Sequence, residues 1–285
     1  MSVSVYRLSF RKFPTLLKWI FLITFSILML FPIYWGLVTS FKPLGEVVAK
    51  PPIFFPKDSV GFDNYIEVFE RVPILNYYRN SLVVAVVVTV AKLFTSSLAG
   101  YVFAKHVFPG KNILFIIVLA TMMLPFQVIA IPVYLLFNQL KLLDSLWALI
   151  IPNLVSAFGI FLMRQFIKSI PNELIDAARI DGCTEFGIYW RIILPQCKPA
   201  LSALGILAFI HSWDDFFWPI LALDSKDVFT LPFGIHMFGS HIGGLSYYTH
   251  ILMAAAMLAI IPVLILFLFA QRQFIEGLTL TGLKG

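Results

Sequence analysis

Six stretches of this 285-residue chain are apolar over the length needed to cross a membrane, and no other feature limits its fold as strongly. They run over 17–39, 80–104, 113–137, 146–163, 199–222 and 248–270. Within hydrocarbon every backbone N–H and C=O must be paired inside the protein, so each span is expected to be helical. Composition agrees: 60% of the residues are hydrophobic and only 13% charged, with a mean hydropathy of +0.90. A soluble domain carries about 25% charged residues and has no single core that could hide so much apolar surface. The expectation is an all-α membrane protein with a cytoplasmic segment at 1–16, a six-span transmembrane domain at 17–270 and a cytoplasmic tail at 271–285. The first span, apolar from Trp19 to Val38, exceeds the apolar core of a cleavable leader and lacks a small-residue cleavage site, so it reads as a retained anchor.

Lysine and arginine set the orientation. With both termini in the cytoplasm, the inside segments carry thirteen of the 21 basic residues and the outside segments seven, Lys92 being within the second span. The same distribution accounts for the net charge of +6, and no basic stripe with interleaved aromatics points to nucleic acid. Cys183 and Cys197 have neither disulfide-framework nor metal-ligand spacing.

One segment breaks the apolar pattern. "ELIDAARIDGCTEFGIYWRIILP", residues 173–195, is polar and helix-forming between the fourth and fifth spans, within an expected cytoplasmic loop at 164–198. Pro171 suits a first turn, Asn172 and Glu173 complement its dipole, and Gly182 ends the helix in a left-handed cap. Thr184 then caps a second helix, in which Phe186, Tyr189, Trp190 and Ile193 recur at i, i+3, i+4 and i+7 before Pro195 stops it. Two readings fit this pattern: a helix lying on lipid headgroups, or a docking knob for a peripheral partner.

The spacing favours the knob. Asp176-Ala177-Ala178, three residues, Gly182, nine residues, Ile192, one residue, Leu194-Pro195 resembles the EAA motif, E-A-A-x3-G-x9-I-x-L-P, of permease subunits of binding-protein-dependent ABC importers. The stretches "SLAGYVFAKHVFPGKN" (97–112), "MLPFQVIAIPVYLL" (123–136), "IFLMRQFIKSIPNEL" (160–174), "SWDDFFWPI" (212–220) and "GLTLTGLKG" (277–285) extend the resemblance over nearly the whole chain. They look like the carbohydrate-uptake permeases, and specifically the shorter, six-span type of maltose-type transporters. Asp176 departs from the usual Glu of the motif, and Asp214 stands where the family more often shows Asn.

The resemblance implies a type I importer permease fold in a prokaryotic inner membrane. It implies partners: a second, homologous permease, two cytoplasmic ABC ATPases, an extracytoplasmic sugar-binding protein, and lipid. ATP and Mg would be bound by the ATPases, with no cofactor in this chain, and a sugar would cross by alternating access. Glu173, Asp176, Ala177, Ala178, Gly182, Phe186, Ile192, Leu194 and Pro195 would form the ATPase-coupling element, Ala177 and Ala178 allowing close approach. Gly243, Gly244 and Tyr247, at the tip of the last outer loop, would meet the binding protein. Other readings of the chain are a permease for a non-sugar solute, and an ion-coupled secondary transporter, in which the docking loop would have no partner.

The residues themselves exclude catalysis in this chain. Gly110-Lys111 lacks the upstream glycine of a phosphate-binding loop, and neither a nucleophile elbow nor a His-Glu-x-x-His metal pair occurs. Intramembrane polar groups are the remaining candidates, because each costs several kcal/mol at mid-bilayer unless paired or hydrated, about 2.5–3.5 on insertion scales. Lys92 lies near the middle of the second span and is expected to face the bundle interior. His211, Asp214 and Asp215 lie in the fifth span, where they either line a gate or cap a helix end. Pro125 or Pro132 is expected to kink the third span.

The orientation has a direct check. In a background lacking Cys183 and Cys197, single cysteines placed within 41–79 react with an impermeant thiol reagent from outside, whereas cysteines at 172–190 do not. The reverse pattern would sink the orientation.

Overall fold

A computed structural model describes residues 9–57, 61–241 and 248–282, and these form helices and connecting turns without a strand. Gly243, Gly244 and Tyr247 lie outside the described residues. The helices are α1 (Ser9–Ser40), α2 (Leu44–Val47), α3 (Asp63–Arg71), α4 (Ile74–Lys105), α5 (Lys111–Thr121), α6 (Phe126–Gln139), α7 (Leu146–Ile150) and α8 (Ala157–Lys168). They continue with α9 (Asn172–Ile180), α10 (Glu185–Ile188), α11 (Leu194–Gln196), α12 (Lys198–Trp213), α13 (Phe217–Ala222), α14 (Leu231–His241) and α15 (Thr249–Gly282). The chain divides into two compact units, 1–72 with 238–258, and 73–237 with 259–285.

In the smaller unit the turn after α1 is held by polar groups whose partners are backbone. Asn64 Nδ2 donates to the carbonyls of Ser40 (2.8 Å) and Lys42 (2.9 Å), and the Ser40 and Tyr65 hydroxyls share a 2.7 Å bond. Buried Lys42 donates to the Ile53 carbonyl and lies 4.5 Å above the Trp35 ring. Glu46 accepts from the Lys57 N–H (3.1 Å). Along its apolar length α1 is exposed on nearly every side, from Leu17 to Leu37. Such a helix needs lipid or another subunit around it.

The larger unit is organised around α4, which packs on α8 and α12. Small residues permit the contact: a Cβ on Gly100 would lie 2.7 Å from Met163 Cβ, and one on Gly159 would lie 2.2 Å from Ser96 Oγ. One end of α4 is tied to the 226–231 segment. Asn80 Nδ2 donates to the Asp227 (2.8 Å) and Phe229 (3.0 Å) carbonyls, and Ser81 Oγ accepts from Leu231 N–H (2.8 Å). Nearby, Asp144 accepts from the backbone of Asp224 (2.9 Å) and Ser225 (2.8 Å), joining the turn before α7 to the turn after α13.

Among the described residues four helical segments are long and apolar enough to cross a membrane: Leu17–Ser40, Ile74–Lys105, Leu146–Lys168 and Thr249–Gln271. The other two expected spans are interrupted. α5 and α6 meet at 97°, and the break ends at Pro125, which precedes α6. Proline lacks the N–H to continue a helix and drives its predecessor out of the helical region. Pro132 lies inside α6. The fifth span, expected to be continuous over 199–222, instead ends at Trp213 and resumes as α13 at Phe217. Two adjacent acids, Asp214 and Asp215, occupy the break, where freed backbone groups and carboxylates can be solvated together. The chain that leads to the expected tip of the last outer loop is helical, since α14 runs from Leu231 to His241, with Gly239 in that helix against Leu252.

The α4–α8 contact yields a paired test. Gly100→Ala pushes a methyl into the α8 backbone and is expected to cost about 1–3 kcal/mol, read as a fall in thermal unfolding temperature in detergent. Gly205→Ala meets only ordinary contacts, at 3.5 Å and beyond, with Leu93 and Thr89 side chains. It should be neutral or stabilising by up to about 1 kcal/mol. Equal effects of the two would contradict close packing at Gly100.

Candidate functional site

The polar island folds as helix, break, helix. α9 starts at Asn172, with Pro171 just outside it rather than in its first turn, and ends in a left-handed Gly182 at φ +80°. Gly182 N–H bonds to the Arg179 carbonyl and Cys183 N–H to that of Ala178, both at 3.0 Å. This double closure is a Schellman motif, in which a Cβ at the left-handed position is strained. Thr184 Oγ1 then accepts from Gly187 N–H (3.1 Å) and caps α10.

Beyond α10 the helix widens into a π-helical turn at Tyr189–Ile193, and α11 follows. Pro195 was expected to stop this helix, yet the helix continues to Gln196, and the 80° bend into α12 falls at Cys197. A proline ring crowds the carbonyl four residues earlier, here that of Arg191, and a widened turn accommodates the crowding.

One face of this element is apolar and embedded. Ile175, Ala178, Ile188, Tyr189, Ile193 and Cys197 pack with Tyr101 of α4, Met163 and Ile167 of α8, and Ala200 and Leu204 of α12. Ile192 and Leu194 pack partly buried against the same cluster. Full burial of each isoleucine contributes about 1.5–3 kcal/mol, so this face fixes where the element sits. Ala178 therefore belongs to the chain's own core. It is not available for the close approach to a partner expected of it, whereas Ala177 is exposed beside exposed Glu173 and Asp176. Of the four residues expected on the apolar face, Tyr189 and Ile193 are buried, joined by Ile188, whereas Phe186 and Trp190 are 60% and 53% exposed and stack on each other at 6.3 Å.

The other face is a polar cluster around Glu185, which the sequence analysis did not single out. Its Oε1 accepts from Arg179 Nε (2.7 Å) and its Oε2 from the Tyr101 hydroxyl (2.9 Å), with His106 Nε2 at 3.4 Å. Arg179 also reaches Asp176 (3.2 Å). The Arg179 and Tyr101 hydrogen bonds outweigh burial and hold the Glu185 carboxyl below the ordinary range. Alongside, the Tyr189 and Ser97 hydroxyls meet at 2.8 Å. Lys105 of α4 donates to the Ile170 carbonyl and to Asn172 Oδ1 (2.8 Å), tying the end of α4 to the start of α9.

The intramembrane candidates separate. Lys92 is buried on α4 and shares an electrostatic neighbourhood with Asp215, which also senses His211, itself exposed. Asp215 Oδ1 accepts from Trp218 N–H (3.4 Å) at the start of α13, a contact of the kind expected at a helix end. Asp214 is exposed, and its N–H closes α12 on the Ile210 carbonyl (2.9 Å).

Residues 96–279, which include the whole island, match the family model of the binding-protein-dependent transport system inner membrane component. The chain is 42% identical over 285 residues to the arabinooligosaccharides transport system permease protein AraQ of Bacillus subtilis (strain 168), covering 99% of this chain and 97% of that one. It is 37% identical to the protein of the same name from Halalkalibacterium halodurans, over 96% and 99% of the two chains. Among solved structures, a chain of a bacterial ABC transporter involved in the import of the acidic polysaccharide alginate superposes with a TM-score of 0.82 at 25% identity, over 95% of this chain and 100% of that one. The fold, the island and these relatives together place the chain in the family of binding-protein-dependent transport system inner membrane components, the permease subunits of ABC importers.

Proposed function

We propose that the chain is one of two membrane subunits of an importer that carries an oligosaccharide into the cytoplasm, with arabinooligosaccharides the class that two of its named relatives suggest. The observation that carries the coupling role is the construction of the island. It has an apolar face anchored in the chain's own core and a second face that presents Glu173, Asp176, Ala177 and the Phe186–Trp190 pair outward. A helix resting only on lipid headgroups would not need a rigid Schellman break or a side-chain network behind it.

In this reading both termini and the island are cytoplasmic, the island seats in a groove of an ABC ATPase, and a homologous permease provides a second such contact. ATP and Mg are held by the two ATPases, and this chain contributes no catalytic group. Closure of the ATPases on ATP pushes the island, and the helices anchored to it rearrange so that the pathway opens outward to a sugar-binding protein. Gly243, Gly244 and Tyr247 are the proposed contact with that protein. Lys92, Asp215 and His211 are the proposed pathway-lining group. Ionisable groups kept inside a bilayer-spanning bundle are costly to retain without such a role.

Coupling is tested where the geometry is strained or exposed. Gly182→Val places a β-branched residue at positive φ, a strain of order 1–3 kcal/mol, and misdirects α10. Ala177→Trp leaves the fold intact and adds bulk to the exposed face. Both variants should insert normally yet retain at least about tenfold less ATPase on purification, with ATP-dependent uptake lost in parallel. Ala178→Trp should instead lower the yield of the whole complex, because its side chain enters the core. Wild-type ATPase retention by both Gly182→Val and Ala177→Trp would leave the island an interfacial loop.

For the pathway group, replacing Asp214 and Asp215 together by Leu should preserve insertion and ATPase binding while reducing uptake of radiolabelled arabinotriose. Asp215→Leu alone should carry most of the loss and Asp214→Leu little. Unchanged uptake across the concentration range would return both acids to a helix-end role.

A further inference from the structure

Ser97 and Tyr101 are one helical turn apart on α4, and Glu185 and Tyr189 are one turn apart across α10 and the start of its π-helical turn. They pair in antiparallel order: Ser97 with Tyr189 at 2.8 Å and Tyr101 with Glu185 at 2.9 Å. Ser97, Tyr101 and Tyr189 are each at most 2% exposed. Two hydrogen bonds at matching i, i+4 spacing on facing helices fix both the distance and the rotation between them, which neither bond would do alone.

The route along the chain is built differently. From α10 towards α12 the backbone passes the π-helical turn at Tyr189–Ile193, Pro195 and the 80° bend at Cys197. Interrupted backbone hydrogen bonding makes such a stretch a poor rod. Glu185 is in addition bonded across the Gly182 break to Arg179 of α9. A displacement of α9 therefore reaches Glu185 directly.

We infer that this two-rung clamp delivers motion of the coupling loop sideways into α4, with Glu185 and Tyr189 as positioning residues, rather than along the backbone into α12. The inference rests on the proposed coupling role of the loop and adds the helix on which the loop acts. Because α4 also carries Lys92, the clamp and the proposed pathway group lie on the same helix, separated by about one and a half turns from Lys92 to Ser97.

The test removes hydroxyls and leaves rings. Tyr101→Phe and Tyr189→Phe keep the aromatic packing, and Ser97 retains its bond to the Leu93 carbonyl (2.6 Å), so no buried group is orphaned there. The full complex with ATPases and binding protein is reconstituted, and radiolabelled arabinotriose imported per ATP hydrolysed is measured. The double variant should hold ATPase at wild-type stoichiometry and hydrolyse ATP at an unchanged basal rate, but import about tenfold less solute per ATP. Glu185→Gln, whose amide can accept from Arg179 and donate to the Tyr101 oxygen, should remain within about threefold of wild type, whereas Glu185→Ala should match the double variant. A purely structural role would lower the amount of folded complex and leave the ratio unchanged. An unchanged ratio in both the double variant and Glu185→Ala overturns the inference while the coupling reading stands. A wild-type complex that holds no ATPase overturns both.

Discussion

The close approach of α4 to α8 at Gly100 and Gly159 is the contact on which the rest of the larger unit depends. With no Cβ at either position, the two helices come near enough for Met163 and Ser96 to fill the space a methyl would have claimed. In a bilayer, where lipid is as apolar as leucine, this kind of backbone proximity supplies the packing that hydrophobic burial supplies in water. Tyr101, the residue after Gly100, is thereby placed under the island, where its hydroxyl meets Glu185.

Two kinds of interaction then divide the work in the island. The buried isoleucines contribute about 1.5–3 kcal/mol each, whereas solvent screens exposed ion pairs such as Arg179 with Asp176, which therefore contribute little. Position is therefore decided by the apolar face. Orientation is decided by the hydrogen bonds, because an apolar contact tolerates sliding and a bidentate carboxylate between Arg179 and Tyr101 does not. The exposed side of the island is therefore backed by an element already seated and already aligned. The Asp176 carboxylate is part of that alignment through Arg179, which gives a place to the shorter acid at the start of the motif.

The interruption between α12 and α13 is the second irregular feature of the larger unit. Asp215 serves it by accepting from the backbone N–H of Trp218, with Lys92 and His211 in its electrostatic neighbourhood. Broken helices at membrane depth are tolerated where the freed backbone groups are satisfied by protein or water, and an acid at the break supplies an acceptor for one of them. Around it, Trp218 donates from Nε1 to the Ala148 carbonyl (2.8 Å) and Trp213 to that of Ala259 (3.2 Å), so the break is held on either side by buried indoles.

What could be read before folding was what depends on neighbours along the chain. The apolar runs dictated helices because lipid offers the backbone no partner. Gly182 and Thr184 announced a break and a cap because those conformations belong to the residue types themselves, and both occur as expected. The kink in the third span followed from proline, although only the folded chain placed it at Pro125 rather than Pro132. The remainder needed tertiary structure. Periodicity put Phe186, Tyr189, Trp190 and Ile193 on the apolar face, but which side of an amphipathic helix is buried depends on the surface it meets, and the core kept Tyr189 and Ile193, added Ile188 and left Phe186 and Trp190 outside. Ala178 and Ala177 are indistinguishable in sequence, and rotation about the helix axis alone sent one into the core and left the other exposed. Glu185 read as an acid at a helix start. Its partner Tyr101 is 84 residues away, and a hydrogen bond between side chains that far apart leaves no local trace, since only the packing of α4 against the loop brings them within reach.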